Sequence, residues 1–292
     1  MISKNKPFLK WAGNKYRIVP EIRRILNRYP EAKRLVEPFV GSGAVFLNSD
    51  YPAYRLCDAN PDLIRLYQTL QTQGQTFIEY AQTFFNTENN TPDAYYRLRS
   101  QFNRTTDPAL KSALFLYLNR HGYNGLCRYN AQGLFNVPFG RYTKPYFPHR
   151  EMQQFYQKAQ CAVFEHADFI EVMQSTESGD ILYCDPPYVP LSATAHFTAY
   201  SKAGFNSANQ TMLARVAETL MSAGIPVVIS NHDTPFVREL YQKATLTELS
   251  VQRSISCNGA NRKPSHEVLA LFHPAHEDKA YETLLNPIAL AN

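Results

Sequence analysis

No run of apolar residues approaches the roughly 18 that a membrane-spanning helix needs, and the polar, basic N-terminus has no signal-peptide core. The expectation is a soluble, unexported, cytoplasmic protein. Cysteine is sparse: Cys57, Cys127, Cys161, Cys184 and Cys257 are odd in number, widely spaced and free of any Cys-x-x-Cys pair. That spacing argues against a disulfide framework and a structural zinc site, so no metal is expected and most of the cysteines are read as core fillers. Tryptophan occurs once, at Trp11. Acidic residues are missing from two long stretches, between Asp107 and Glu151 and between Asp185 and Glu218.

What is present suits a folded α/β chain. The 292 residues suffice for one large α/β domain and a smaller insert, and 44% hydrophobic content can bury a full core. The net charge of +5 leans toward an anionic partner.

The most informative stretch is Asp185-Pro186-Pro187-Tyr188, which follows the apolar run Ile181-Leu182-Tyr183-Cys184. The run reads as a buried strand ending at the carboxyl edge of a sheet, where open α/β folds bind ligands. Two prolines fix φ twice and remove two N–H donors. The turn then offers only acceptors, the Asp185 carboxylate and the Asp185 and Pro186 carbonyls, which suits a substrate amino group. Tyr188 adds a flat face for a planar ring. A surface turn with a chance Pro-Pro is the plainer alternative, and the strand before it makes that the poorer reading.

A second strand-and-turn is Arg34 to Val40, followed by Gly41-Ser42-Gly43 and a helix start at Ala44 to Leu47. Glycine permits a tight bend and close approach of a ligand to the main chain. No Gly-Lys-Ser/Thr follows, so it is no P-loop, and Phe46 stands where a dinucleotide fingerprint needs Gly or Ala. Tyr54 to Asp58 reads as the next strand, ending in an acid that suits ribose hydroxyls. Capping the following helix is the alternative use of Asp58. Near the N-terminus, Trp11 stands between Lys10 and Lys15 beside Gly13-Asn14. It serves equally as a core anchor or as a flat wall for a ligand. Ile18, Ile22, Ile25 and Leu26 show helical spacing from Arg17 to Leu26.

From Pro61 to about Arg120 the strand pattern stops. Asn60-Pro61, Thr91-Pro92 and Asp107-Pro108 each read as an N-cap followed by proline at the first helical position. The acid-free interval after Asp107 carries Lys111, Arg120, Arg128, Arg141, Lys144 and Arg150, interleaved with aromatics such as Tyr123, Tyr129, Phe135, Tyr142 and Tyr146. Within it, Asn124 to Pro138 predicts a β-hairpin turning near Ala131 to Gly133. A basic aromatic hairpin suits phosphates and base edges, although a merely solvated positive face is the common meaning of such a run. Strands are predicted again at Ala162 to Glu165, Ile225 to Ser230, Leu246 to Val251 and Val268 to Phe272. Ser207 with Gln210 predicts a capping box. A polar stretch, Ser192 to Lys202, follows the Pro-Pro turn. Arg253, Asn258, Arg262 and Lys263 form a third basic patch, and the tail after His273 reads as an end cap.

Taken together, Lys10 to Lys15, Glu37 to Gly43, Leu118 to Asn130, Asn136 to Gly140 and Asp185 to Tyr188, in that order, resemble the Dam family of DNA adenine N6-methyltransferases. The resemblance runs from about Lys6 to Phe272. It implies a Rossmann-like α/β methyltransferase sheet with helices on both faces, over 1–60 and 151–292. A mainly helical target-recognition insert over 61–150 would carry the hairpin at about 121–147. It also implies S-adenosylmethionine as cofactor, adenine in GATC of double-stranded DNA as target, and a monomer. By similarity, Trp11, Lys15, Phe39, Gly41, Gly43, Asp58, Asp168 and Asp185 would line the cofactor site. Asp185, Pro186, Pro187 and Tyr188 would carry catalysis. Lys10, Tyr123, Asn124, Leu126, Arg128, Pro138 and Arg141 would meet DNA. One departure is Asn14, where many members have glycine; Asn tolerates the left-handed region, so the turn is expected to survive.

Three rivals stay in view. Methylation of cytosine N4 uses a related turn, but Asp rather than Ser at its first position leans toward adenine. A nicotinamide-dependent dehydrogenase is disfavoured by the missing third Gly. A DNA-binding module without catalysis is disfavoured by the intact Asp-Pro-Pro-Tyr.

Overall fold

The computed structural model describes residues 4–189, 205–251 and 265–273. Ser192 to Lys202, the basic patch Arg253, Asn258, Arg262 and Lys263, Cys257 and the tail beyond His273 lie outside the described residues.

The chain opens with a 3₁₀ turn, Lys15–Arg17, and helix α1, Val19–Leu26. Strands β1, Arg34–Glu37, and β2, Ala53–Asp58, come next. Four helices follow: α2, Pro61–Gln82; α3, Pro92–Arg104; α4, Pro108–His121; and α5, His149–Ala159. Then come β3, Ala162–His166; α6, Phe169–Gln174; and β4, Asp180–Cys184. The chain continues through α7, Ser207–Ser222; β5, Val227–His232; and α8, Pro235–Leu240. It closes with β6, Thr245–Val251, and β7, Ser265–Phe272.

The seven strands form one sheet in the order β3-β2-β1-β4-β5-β7-β6. The β3-β2, β2-β1, β1-β4 and β4-β5 pairs are parallel, and β7 runs antiparallel between β5 and β6. Alternate residues feed two cores, as the period of two in a strand requires. Leu35, Leu56 and Ile181 face one apolar cluster; Val36, Cys57 and Leu182 face the other. Both faces are covered, which is why β4 reads as an unbroken apolar run. The first cluster continues without a break through Leu66 and Tyr67 of α2 into Tyr95, Phe102 and Phe115.

The three cap-and-proline signals hold. Asn60, Thr91 and Asp107 each accept backbone N–H groups at the starts of α2, α3 and α4. Three expectations need correction. The segment after Gly43 forms only a 3₁₀ turn, Phe46–Asn48. Asn48 Nδ2 bonds the Ala44 carbonyl, Ser49 Oγ bonds the Phe46 carbonyl, and Pro52 follows, so no longer helix grows. The capping box at α7 uses Asn206 and Asn209 rather than Ser207 and Gln210: each amide oxygen accepts the other's N–H, at 3.1 and 3.0 Å. Asparagine caps at least as well as serine. The 124–138 segment does turn at Ala131 to Gly133, but only isolated bridges join its arms, Tyr129 to Phe135 and, at its root, Gly122 to Phe139. Proline at 138 and side-chain bonds such as Asn103 Nδ2 to the Phe135 carbonyl take ladder positions away.

Helix α2 breaks its regular path at Gly74, with φ 52° and ψ −124°. A Cβ there would lie 2.7 Å from the Tyr156 ring of α5. Gly74→Ala should therefore lower stability by about 1–3 kcal/mol from backbone strain alone, read as a lower denaturant midpoint with an unchanged slope.

Candidate active site

Parallel pairing puts the carboxyl ends of β1, β2, β4 and β5 on one edge of the sheet. The chain reverses its direction of growth between β1 and β4, leaving a crevice there. β7 runs the other way, so its early residue Glu267 pairs with His232 and reaches the same edge. An open groove of about 610 Å³ near Arg34, Arg55 and Glu165 includes the amino ends of β1, β2 and β3, so it is separate from this edge.

Two glycines form the turn after β1, Gly41 at φ 47° and Gly43 at φ 70°. A Cβ on Gly41 would sit 3.0 Å from Trp11 Nε1, so the indole packs against bare backbone. Asp58, at the end of β2, steadies this turn. Its Oδ2 accepts the Gly41 N–H and its Oδ1 the Asn60 N–H, both at 3.0 Å. Burial raises the Asp58 carboxyl to about 6, against those two hydrogen bonds. Phe39 stacks on Phe169 at 5.3 Å. The preceding residue, Asp168, is exposed and caps α6 through the Ile170 N–H.

The acceptor corner lies across the crevice. Asp185 Oδ1 is 2.9 Å from the buried Lys15 ammonium and 2.9 Å from Ser230 Oγ. The same ammonium donates to the Gly13 carbonyl and stands 4.4 Å from the Tyr188 ring centroid. Gln210, one of the residues expected to cap α7, is instead buried and donates to the Pro187 carbonyl at 2.8 Å. Tyr188 donates its hydroxyl to Glu267 Oε2 at 3.1 Å and meets His232 edge to face. Among the described residues, no hydrogen bond reaches Asp185 Oδ2 or the Pro186 carbonyl. Asp185 is partly exposed there, and Pro186 is buried.

Ser230, Gln210 and Glu267 hold the corner, yet no motif marks them. Glu37 is the exception, since an acid inside the apolar run Leu35 to Val40 is a visible signal. It is fully enclosed, and its Oε1 has no partner among the described residues. Burial pushes its carboxyl well above the usual range, against an N–H from Phe46, and the Asp185 charge adds to the rise. Asn14 departs from expectation: its φ is −52° and ψ 124°, extended rather than left-handed. Gly13, at φ 75°, makes the turn, and Asn14 Oδ1 accepts the Tyr16 N–H.

The basic segment gathers beside Trp11. Lys10 bonds Asn119 through its own N–H and carbonyl, and its ammonium lies 4.0 Å from the Tyr142 ring centroid. Tyr123 is half exposed, and its N–H bonds the carbonyl of the exposed Pro138 at 2.9 Å. Asn124 and Arg141 hold left-handed φ values of 54° and 55°, the only non-glycine residues to do so among those described. Such strain persists only where surroundings impose it, and it clusters at ligand sites. Leu126 packs half-buried against the core. Arg128 is exposed, and Asn136 holds it: Nε to Oδ1 at 2.8 Å and Nη2 to the carbonyl at 3.3 Å.

A family model described as D12 class N6 adenine-specific DNA methyltransferase matches residues 11–255. The DNA adenine methylase of Escherichia coli (strain K12) is 50% identical over 273 residues, 94% of this chain and 97% of that protein. The DNA adenine methylase of Vibrio cholerae (O395) is 51% identical over 274 residues, 94% and 98% of the two chains. That of Serratia marcescens is 50% identical over 272 residues, 93% and 100%. The chain belongs to the D12 class of N6 adenine-specific DNA methyltransferases, and it is an adenine-specific DNA methyltransferase.

Proposed function

We propose that this enzyme methylates adenine N6 within GATC of double-stranded DNA, using S-adenosylmethionine and a base turned out of the helix. The observation that carries this reading is the acceptor corner, Asp185 and the Pro186 carbonyl beside Tyr188, on the same carboxyl edge of the sheet as the Gly41–Gly43 turn. The resemblance to the Dam family supports the GATC target. We assign residues 61–150 to target recognition and the remainder to catalysis. The enzyme acts as a cytoplasmic monomer in this reading, and no helix among the described residues is long and apolar enough to cross a membrane.

The residues fit the cofactor. The Gly41 turn leaves backbone open where a Cβ would strike Trp11, Asp58 at the end of the next strand holds that turn, and the buried Glu37 Oε1 has no partner among the described residues. When bound, S-adenosylmethionine supplies a methyl group on positively charged sulfur. Trp11, Phe39, Gly41, Gly43, Asp58, Lys15 and Asp168 are the residues we assign to holding it.

An adenine inside a duplex cannot present N6 to a methyl donor, so the base leaves the stack. Tyr188 offers its ring as a platform, and Glu267 fixes that ring through the hydroxyl. Asp185 Oδ2 and the Pro186 carbonyl accept the two N6 hydrogens, aiming the nitrogen lone pair at the methyl group. Lys15 and Ser230 occupy Oδ1 and keep the carboxylate from turning. The gain is mostly orientation and preplaced charge. The N6 proton departs only after N6 has become cationic, so Asp185 need not be a strong base. Arg128, with Asn136 holding one edge of its guanidinium, presents the rest for bidentate contact with guanine O6 and N7. Lys10, Tyr123, Asn124, Leu126, Pro138 and Arg141 complete the DNA-facing set.

Asp185→Ala should abolish methyl transfer from tritiated cofactor while DNA affinity stays in the wild-type range; an active variant removes the corner from the mechanism. Arg128→Ala should cost about 1–3 kcal/mol of discrimination at one guanine, seen by comparing single-base variants of GATC. Equal loss on all sequences would make it a phosphate contact. The raised Asp58 carboxyl sets a pH dependence. Its contribution to folding is favourable below its ordinary value near 3.8 and is lost as pH rises through about 6. A ribose needs the ionised form, so cofactor affinity should climb through about pH 6 and level off above it. Emission of Trp11, the only tryptophan, can follow the titration, and Asp58→Asn should flatten the profile.

A further inference from the structure

Asp62, at the second position of α2, is buried, yet it faces away from the crevice toward the basic segment. Its Oδ2 accepts the Tyr129 hydroxyl at 2.8 Å, and its Oδ1 pairs with Arg65 at 2.8 Å and Lys111 at 3.9 Å. Tyr129 immediately follows Arg128 and bridges Phe135 across the turn. On the other side, Asn60 accepts the Asp62 N–H at 3.0 Å and itself donates to Asp58 Oδ1, while Asp58 Oδ2 holds the Gly41 N–H. Asn60 also donates to the buried Cys127 Sγ at 3.4 Å. An unbroken line of direct hydrogen bonds thus runs Gly41, Asp58, Asn60, Asp62, Tyr129.

We infer that the Asp62–Tyr129 hydrogen bond is a positioning contact that couples the glycine turn to the arm carrying Arg128, so that filling one end improves binding at the other. This rests on the reading that the glycine turn holds the cofactor and the arm reads DNA. Neither Asp62 nor Tyr129 touches the acceptor corner, so the effect is on positioning. The bond suits the task because it is buried and charge-assisted, hence short and directional. Apart from Asn60 to Cys127, which is a weaker contact to sulfur, most other polar contacts of the arm with the body run to α3, such as Asn103 to Phe135, or to α4, such as Asn119 to Gly125, and do not reach Asp58. Coupling of this kind is reciprocal by thermodynamic necessity.

Tyr129→Phe deletes one hydroxyl and leaves Arg65 and Lys111 to neutralise Asp62, so the variant should fold. The test measures binding of a GATC duplex, and of a duplex with one altered base, with and without saturating S-adenosylhomocysteine. Wild type should bind the GATC duplex several-fold more tightly in the presence of S-adenosylhomocysteine. Tyr129→Phe should cut that enhancement by about fivefold, the low end of allosteric couplings. Affinity for S-adenosylhomocysteine without DNA, and for DNA without it, should change less than twofold. Adding Asp62→Asn to Tyr129→Phe should cost no further enhancement, because both changes break one link. Full enhancement in Tyr129→Phe, additive losses, or a uniform drop in all affinities with a lower unfolding midpoint would overturn the inference. So would a wild type that binds both ligands without any enhancement, and that result would leave the proposed function standing. A wild type that binds neither ligand would overturn both.

Discussion

A carboxylate at the carboxyl end of β4 is gripped on one oxygen by a buried ammonium and a hydroxyl, which leaves its other oxygen without a partner among the described residues. Most of the molecule exists to make that arrangement hold. Lys15 arrives from the N-terminal turn and is steadied by the Gly13 carbonyl. Ser230 comes from β5, where Tyr183 donates to the same hydroxyl oxygen. Two adjacent prolines remove competing donors, and Gln210 takes the Pro187 carbonyl. A charge held this way in a crevice keeps its direction without reorganising when a ligand enters, which is where electrostatic catalysis draws its strength.

Charge and strain divide the labour between the two halves of the site. The sheet edge is acidic and mostly enclosed, with Glu37, Asp58 and Asp185 within it. The adjoining arm is basic and exposed, and it keeps Asn124 and Arg141 in left-handed backbone. Lys10 and Trp11 join the two: neighbouring residues, one against Tyr142 and the other against Gly41. A basic face suits a DNA enzyme, since phosphates call for positive surroundings.

Much of this was legible in the residues. The apolar runs at Ile181 to Cys184 and Val227 to Ile229 betray strands buried on both faces, and three cap-and-proline pairs mark three helix starts. The order of motifs gave the family, which the comparisons bear out. Local patterns failed where tertiary contacts decide. Asn206 took the cap because Gln210 is used inside the crevice, and the arm lacks a ladder because side chains of α3 satisfy its backbone. The left-handed turn at the N-terminus belongs to Gly13, so Asn14 costs nothing there. Ser230 and Glu267 were invisible because their meaning depends on β5 and β7 meeting an edge laid down 45 and 79 residues earlier.

That last dependence has a bearing on how the chain assembles. Among the described residues β6 has β7 as its one neighbour in the sheet, and β7 must slide between β5 and β6 after both have been made. Emergence from the ribosome runs from the N-terminus, and long-range strand pairing is slow. The basic arm and its helices can therefore gather while β7 is still unmade. The hydroxyl of Tyr188 gains its anchor only when Glu267 arrives, so the corner at the end of β4 is among the last parts of the sheet edge to set.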